Sequence, residues 1–173
     1  NSSIGSSSSA ASNLILNGGT LRYVGAGGST NRQFTLGASA ASRLESWGTG
    51  AIAFTHAGPL TFASANTAQT LTLGGANTAN NIFAAQITNN GTGVTRLTKT
   101  DAGTWILTNP GSTYTGITTI SGGVLGGGKL GEVEAKAAKT ELVREIIRLK
   151  AESGKAAVAG GLGRTPLLVG LAG

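Results

Sequence analysis

Between Leu97 and Leu125 the chain reads LTKTDAGTWILTNPGSTYTGITTISGGVL, and this stretch constrains the fold more than any other. Apolar residues alternate with Thr, Lys or Ser over Arg96–Lys99, Thr104–Thr108 and Thr115–Ile120, the period of two expected of strands with one buried face. Val, Ile, Thr, Trp and Tyr dominate these strands, and Gly, Asn, Asp and Pro fill the turns between them.

Short strands recur upstream. Candidates are Leu14–Leu16, Thr20–Val24, Arg32–Leu36, Arg43–Trp47, Ala51–Thr55, Leu60–Ala63, Gln69–Leu73 and Asn81–Ile87. Gly18-Gly19, Gly27-Gly28, Gly74-Gly75, Asn80-Asn81 and Asn89-Asn90-Gly91 punctuate them as turns. A strand every 8–12 residues or so fits a sandwich or barrel. The shortness of the strands points instead to stacked repeats, as do two phrases that read as echoes of one unit, Leu71–Thr78 and Ile106–Thr113. The alternation puts Leu14, Leu16, Leu21, Phe34, Leu36, Leu44, Ile52, Phe54, Leu60 and Phe62 inside, with Leu71, Leu73, Ile82, Ile87, Leu97 and Ile120. At 105–107 either Ile106 or the pair Trp105 and Leu107 faces in, since a slip of one residue exchanges the faces. Turn asparagines are placed to hydrogen-bond from one repeat to the next.

The run Leu97-Thr98-Lys99, Ala102-Gly103-Thr104-Trp105, Leu107, Tyr114-Thr115-Gly116, Thr118-Thr119-Ile120, Gly123 and Leu125 resembles the autotransporter-associated β-strand repeat of bacterial passenger regions. The sequence from Asn13 to Val94 is similar to what precedes that motif in such passengers, so the likeness covers about two-thirds of the chain. Asp101 stands where the family usually has Gly, a mild change because Asp tolerates a positive φ. Ile117 replaces a second Gly. The resemblance implies an all-β fold, a right-handed parallel β-helix (solenoid), exported to the bacterial cell surface and associated with the outer membrane when full length. It implies a stalk, spacer or adhesin scaffold without catalysis.

Composition agrees with a neutral, turn-rich β structure: 29 Gly among 173 residues, 39% hydrophobic and 12% charged, too apolar and too weakly charged for a disordered chain. Without cysteine there is no disulfide framework and no thiolate metal site. The net charge of +6 is spread evenly: residues 1–128 carry five basic and two acidic side chains, residues 129–173 eight and five. With no basic run or aromatic–basic stripe, nucleic acid is not an expected partner. Expected partners are a host or environmental surface, glycans, or other copies of the chain. The absence of Met at position 1 and of a signal peptide reads as a fragment or a processed form.

Three segments follow from this: a Ser-rich flexible entry at 1–12, solenoid repeats at 13–128 and a helical tail at 129–173. In the tail, Glu132–Glu152 has Ala135, Ala138, Leu142, Ile146 and Leu149 on one stripe, pairs such as Glu141–Arg144, and a stop at Ser153-Gly154. Such a helix either caps the last coil, belongs to another domain or a fusion, or mediates self-assembly. The apolar end, Ala156–Gly173, is interrupted by Arg164 and Pro166 and is too short to insert in a membrane.

Chemistry is sparse. Polysaccharide lyases and hydrolases need clustered carboxylates, and the β-rich part has only Glu45 and Asp101. His56, the one histidine, has no nucleophile-elbow serine to serve and reads as a turn residue beside Gly58-Pro59. Gly123–Lys129 has phosphate-loop spacing, but Leu130 stands where the hydroxyl belongs. Gly161–Thr165 is similar to the end of a phosphatase loop, but Val158 stands in place of the cysteine. The expected assignment is therefore no catalytic, cofactor-binding or metal residue and no cofactor. A carbohydrate-active or glycan-binding β-helix is the alternative, because outward Thr ladders suit sugars as well as they suit strands.

Overall fold

The computed structural model describes residues 6–39 and 41–127, with 133–135 as backbone only. Among the described residues, fourteen strands follow a 3-10 turn at Ala11–Asn13: β1 (Ile15–Leu16), β2 (Thr20–Tyr23), β3 (Ala26–Thr30), β4 (Thr35–Leu36), β5 (Ala41–Ser46), β6 (Gly50–Phe54), β7 (Thr61–Phe62), β8 (Gln69–Gly74), β9 (Asn81–Phe83), β10 (Thr95–Lys99), β11 (Thr104–Leu107), β12 (Thr118–Ile120), β13 (Val124–Gly127) and β14 (Val133–Ala135). They form three sheets, β1-β4-β7, β2-β5-β8-β10-β12-β14 and β3-β6-β9-β11-β13, with every ladder parallel. Each strand pairs with the equivalent strand of the next coil. That is a parallel β-solenoid.

Register stacks like on like. Leu21, Leu44, Leu73, Lys99 and Ile120 form one inward file, and Leu71, Leu97 and Thr118 another. Across the interior, Phe54, Phe83 and Leu107 line up, and Trp105 sits between Asn81 and Leu125. Phe34 packs edge-on to Phe54, and the Trp105 ring stacks on Phe54 with centroids 6.3 Å apart. Trp105 and Leu107 are the inward pair, with Ile106 outside. Leu14, Leu21 and Phe62 are only partly buried against the core.

Ile82 faces outward and Phe83 inward, because Asn81 rather than Ile82 takes the inward place above Trp105. Gly27-Gly28 is no turn: both lie in β3, where pairing with β6 imposes strand geometry on a sequence of no β preference. The same ladder effect makes a strand of Val124–Gly127. The two phrases read as echoes are not equivalent either. Leu71–Leu73 pairs with Leu97–Lys99, and beyond the strands Gly103 and Thr104 donate to Gly75 and Asn77. The true echo of LTLGGANT is therefore LTKTDAGT. Register partners lie 20 residues apart at Ile15–Thr35 but 29 apart at Ala41–Thr70, so no fixed period exists to be found.

Val133–Ala135 corrects the expectation of a helix from Glu132: it is a strand on the edge of β12, where unpaired backbone groups outweigh local helix preference. The rest of the expected helical tail lies outside the described residues. In the entry segment, Ser7 and Ser8 accept hydrogen bonds from the Arg32 guanidinium at 2.7–3.0 Å.

Asparagines tie coil to coil. Asn81 accepts from the Ile52 amide at 3.0 Å and donates to the Thr104 carbonyl at 2.8 Å, bridging the coils on both sides of its own. Asn90 donates to Ser64 and Thr67, and Asn89 accepts from the Thr115 amide. Asn81 and Asn90 are buried in the wall of the solenoid, and their amides satisfy backbone groups that no strand partner reaches.

Candidate functional site

Charge and exposed aromatic surface gather on the outer face of the six-stranded sheet. Register places Thr20, Arg43, Thr72, Thr98 and Thr119 in one row across five coils. Beside that row Arg22 stacks on Glu45. Period-two alternation accounts for the row, since each inward Leu requires its neighbours to point out.

Glu45 and Asp101, far apart in sequence, meet through Arg43. The Arg43 Nε donates to Glu45 Oε1 and its Nη2 donates to Asp101 Oδ2 at 2.7 Å. Glu45 also accepts from Arg22 Nε at 2.8 Å and from Trp47 Nε1 at 2.7 Å, and is only 6% exposed. Asp101 adopts φ 59°, the positive value its side chain tolerates at the corner after β10. There Oδ2 accepts from the Gly75 amide at 2.9 Å. Gly74 keeps the passage open: a Cβ on it would stand 2.6 Å from Asp101 Oδ2 and 2.7 Å from Arg43 Nη2. Ile117, by contrast, takes no positive φ, so a β-branched residue costs nothing there.

Burial works to raise the Glu45 carboxyl, but hydrogen bonds from Arg43, Arg22 and Trp47 outweigh it and hold the pKa below the ordinary value. The Gly75 amide is the main cause that lowers Asp101, against a smaller opposing effect of burial. A glycosidase acid needs the opposite, a carboxyl kept protonated near neutrality. Both groups are fixed as anions on arginine. Because their folded pKa values lie below the unfolded ones, the cluster stabilises above roughly pH 4 and loses that contribution as pH falls through the folded values. The thermal midpoint is expected to drop between neutral and acid pH, and Glu45→Gln to narrow the drop. An equal drop in the variant would place the acid sensitivity elsewhere.

His56 follows β6, half-buried, and lines a small pocket with Arg32, Phe34, Phe54, Pro59 and Leu60. That lining contains no carboxylate and no serine. Among the described residues no three His, Asp or Glu side chains come together. Of the glycine run, Gly123 and Gly127 take positive φ at the corner and end of β13, while Gly128 and Lys129 lie outside the described residues, as do Gly161–Thr165.

Sequence reasoning missed Lys99, a basic residue inside the solenoid. It is 0% exposed, in file between Leu73 and Ile120. Its Nζ donates to the carbonyls of Thr100, Asp101 (2.9 Å) and Gly122 (3.1 Å). Desolvation lowers its pKa, opposed by the nearby Asp101 charge. The signal was present in the alternation itself, since Lys99 follows Thr95 and Leu97 at spacing two.

Comparison with known proteins matches residues 97–126 to the passenger-associated-transport-repeat. The chain is 65% identical over 104 residues to an adhesin, the BmaC autotransporter of Brucella suis biovar 1 (strain 1330). The matched part is 60% of this chain and 3% of that protein, so the chain spans a small piece of its relative. No solved structure matches it significantly.

Proposed function

For a chain that carries an autotransporter passenger repeat over residues 97–126, we propose the role of an adhesive scaffold at the bacterial cell surface. The observation that carries this reading is the parallel ladder running coil after coil through three sheets. A stack of this kind is stiff along its axis without a disulfide, and its outward rows and turns are free for contact. The similarity to a protein named as an adhesin supports contact with a surface as the purpose of that stiffness. The scaffold proper is residues 13–128, with the right-handed winding that parallel crossovers favour. It works without catalysis, cofactor or metal: among the described residues, the two carboxylates of the outer face are committed to Arg43 and Arg22.

Beads coated with the purified chain are expected to adhere to cultured-cell matrix more than albumin-coated beads, and the chain to release no reducing ends from polysaccharides. Adhesion no better than albumin would sink the scaffold reading. Release of reducing ends that disappears in Glu45→Gln would replace it with the carbohydrate-active one.

A further inference from the structure

We propose that the corner carrying Trp47 binds acidic oligosaccharide, pyranose chains bearing carboxylates of the uronate kind. The inference rests on the adhesive-scaffold reading and names the partner class for one place on it. Trp47 is 45% exposed, yet it is held. Its Nε1 donates to the buried Glu45 carboxylate, and the Arg22 guanidinium lies over its ring, 5.2 Å from the centroid. A single exposed aromatic is ordinary on a protein surface. An exposed indole tied at its edge and flanked by a cation is already ordered for binding, so little entropy is lost when a ligand stacks on it.

The neighbours define the ligand. Val24, 72% exposed, lies at the same corner one coil away, where the Trp47 amide donates to Tyr23. Together they offer apolar surface to the C–H face of a sugar ring, with the indole as the principal contact. Arg22 and Arg43 lie beside Glu45 and Asp101 on this side of the sheet, and both acids are occupied by arginine. Arg22 is 56% exposed and uses Nε for Glu45, and its Nη atoms have no hydrogen-bond partner among the described residues. A planar guanidinium with a free edge takes a carboxylate in two parallel hydrogen bonds. An indole beside such a fork matches a uronate, apolar on one face and anionic at its rim. The Thr row running along the axis supplies hydroxyl partners for further sugar units.

The test is titration of the whole chain with tetragalacturonate, with maltotetraose as the neutral control. Trp105 is buried, so iodide quenching reads Trp47. Saturable binding that shields Trp47 from iodide is expected. By calorimetry, Trp47→Ala and Arg22→Gln should each weaken binding about tenfold, and maltotetraose should bind at least about tenfold less tightly. High salt should weaken it too, because the guanidinium is exposed. No saturable heat, equal affinity for the neutral sugar, or unchanged affinity in both variants would each overturn the inference. Should Trp47→Ala lose its β-sheet circular dichroism, Arg22→Gln alone decides. Adhesion of coated beads that persists without oligosaccharide binding would leave the scaffold reading standing and remove this one. Loss of bead adhesion with oligosaccharide binding intact would do the reverse.

Discussion

Truncating Trp105 to alanine is expected to lower the stability of the solenoid by about 3–5 kcal/mol. The side chain is 0% exposed and fills the space between two sheets, stacked on Phe54 and in register with Asn81 and Leu125. Its Nε1 donates to the Gly74 carbonyl at 2.9 Å, so truncation opens a cavity and also strips a buried carbonyl of its donor. The coils on either side cannot close over the gap, because their own ladders fix the spacing between strands. Urea denaturation of Trp105→Ala and Trp105→Phe checks this. Phenylalanine restores much of the volume without the indole N–H and should recover part of the loss. If Trp105→Ala unfolds at the same urea concentration as the parent, Trp105 is not part of a packed core. Trp47→Ala, at the exposed corner, should cost far less.

What could be read in advance follows from where the alternation is unbroken. Leu71, Leu73 and Leu97 face inward because each sits in a clean run of apolar and polar residues, and period two admits one arrangement. Asn81-Ile82-Phe83 defeats the same rule. Two apolar residues adjoin, and the inward polar place belongs to Asn81, whose amide serves coils on both sides. AGGST and VLGG, each with two glycines, carry little strand preference as segments and become strands because a paired ladder lies beside them. Val133–Ala135, embedded in helix-favouring sequence, is strand for the same reason. The site was legible residue by residue and not as a whole. Glu45 and Asp101 were the evident acids, but their meeting on Arg43 depends on a register spanning coils of unequal length.

Lys99 carries the second large effect. Replacing it with glutamate is expected to destabilise the chain by about 3–5 kcal/mol or more, since a carboxylate would then be buried against carbonyl oxygens with no cation to pair it. Lys99→Met keeps the apolar stem in the file between Leu73 and Ile120 and removes the ammonium. Its cost should be smaller, about 1–3 kcal/mol, the penalty for buried acceptors left without a donor. Two of those carbonyls, Thr100 and Asp101, belong to the turn after β10, and the third, Gly122, belongs to the turn after β12 on the next coil. The ammonium therefore fastens successive coils at a point where no strand pairing reaches. Space is tight: a Cβ on Gly123 would stand 2.7 Å from Nζ. An ordering of parent, then Met, then Glu in urea midpoint is the expected result. If Lys99→Met proves more stable than the parent, desolvation of the ammonium outweighs its three hydrogen bonds, and the fastening of the two coils comes from the apolar stem alone.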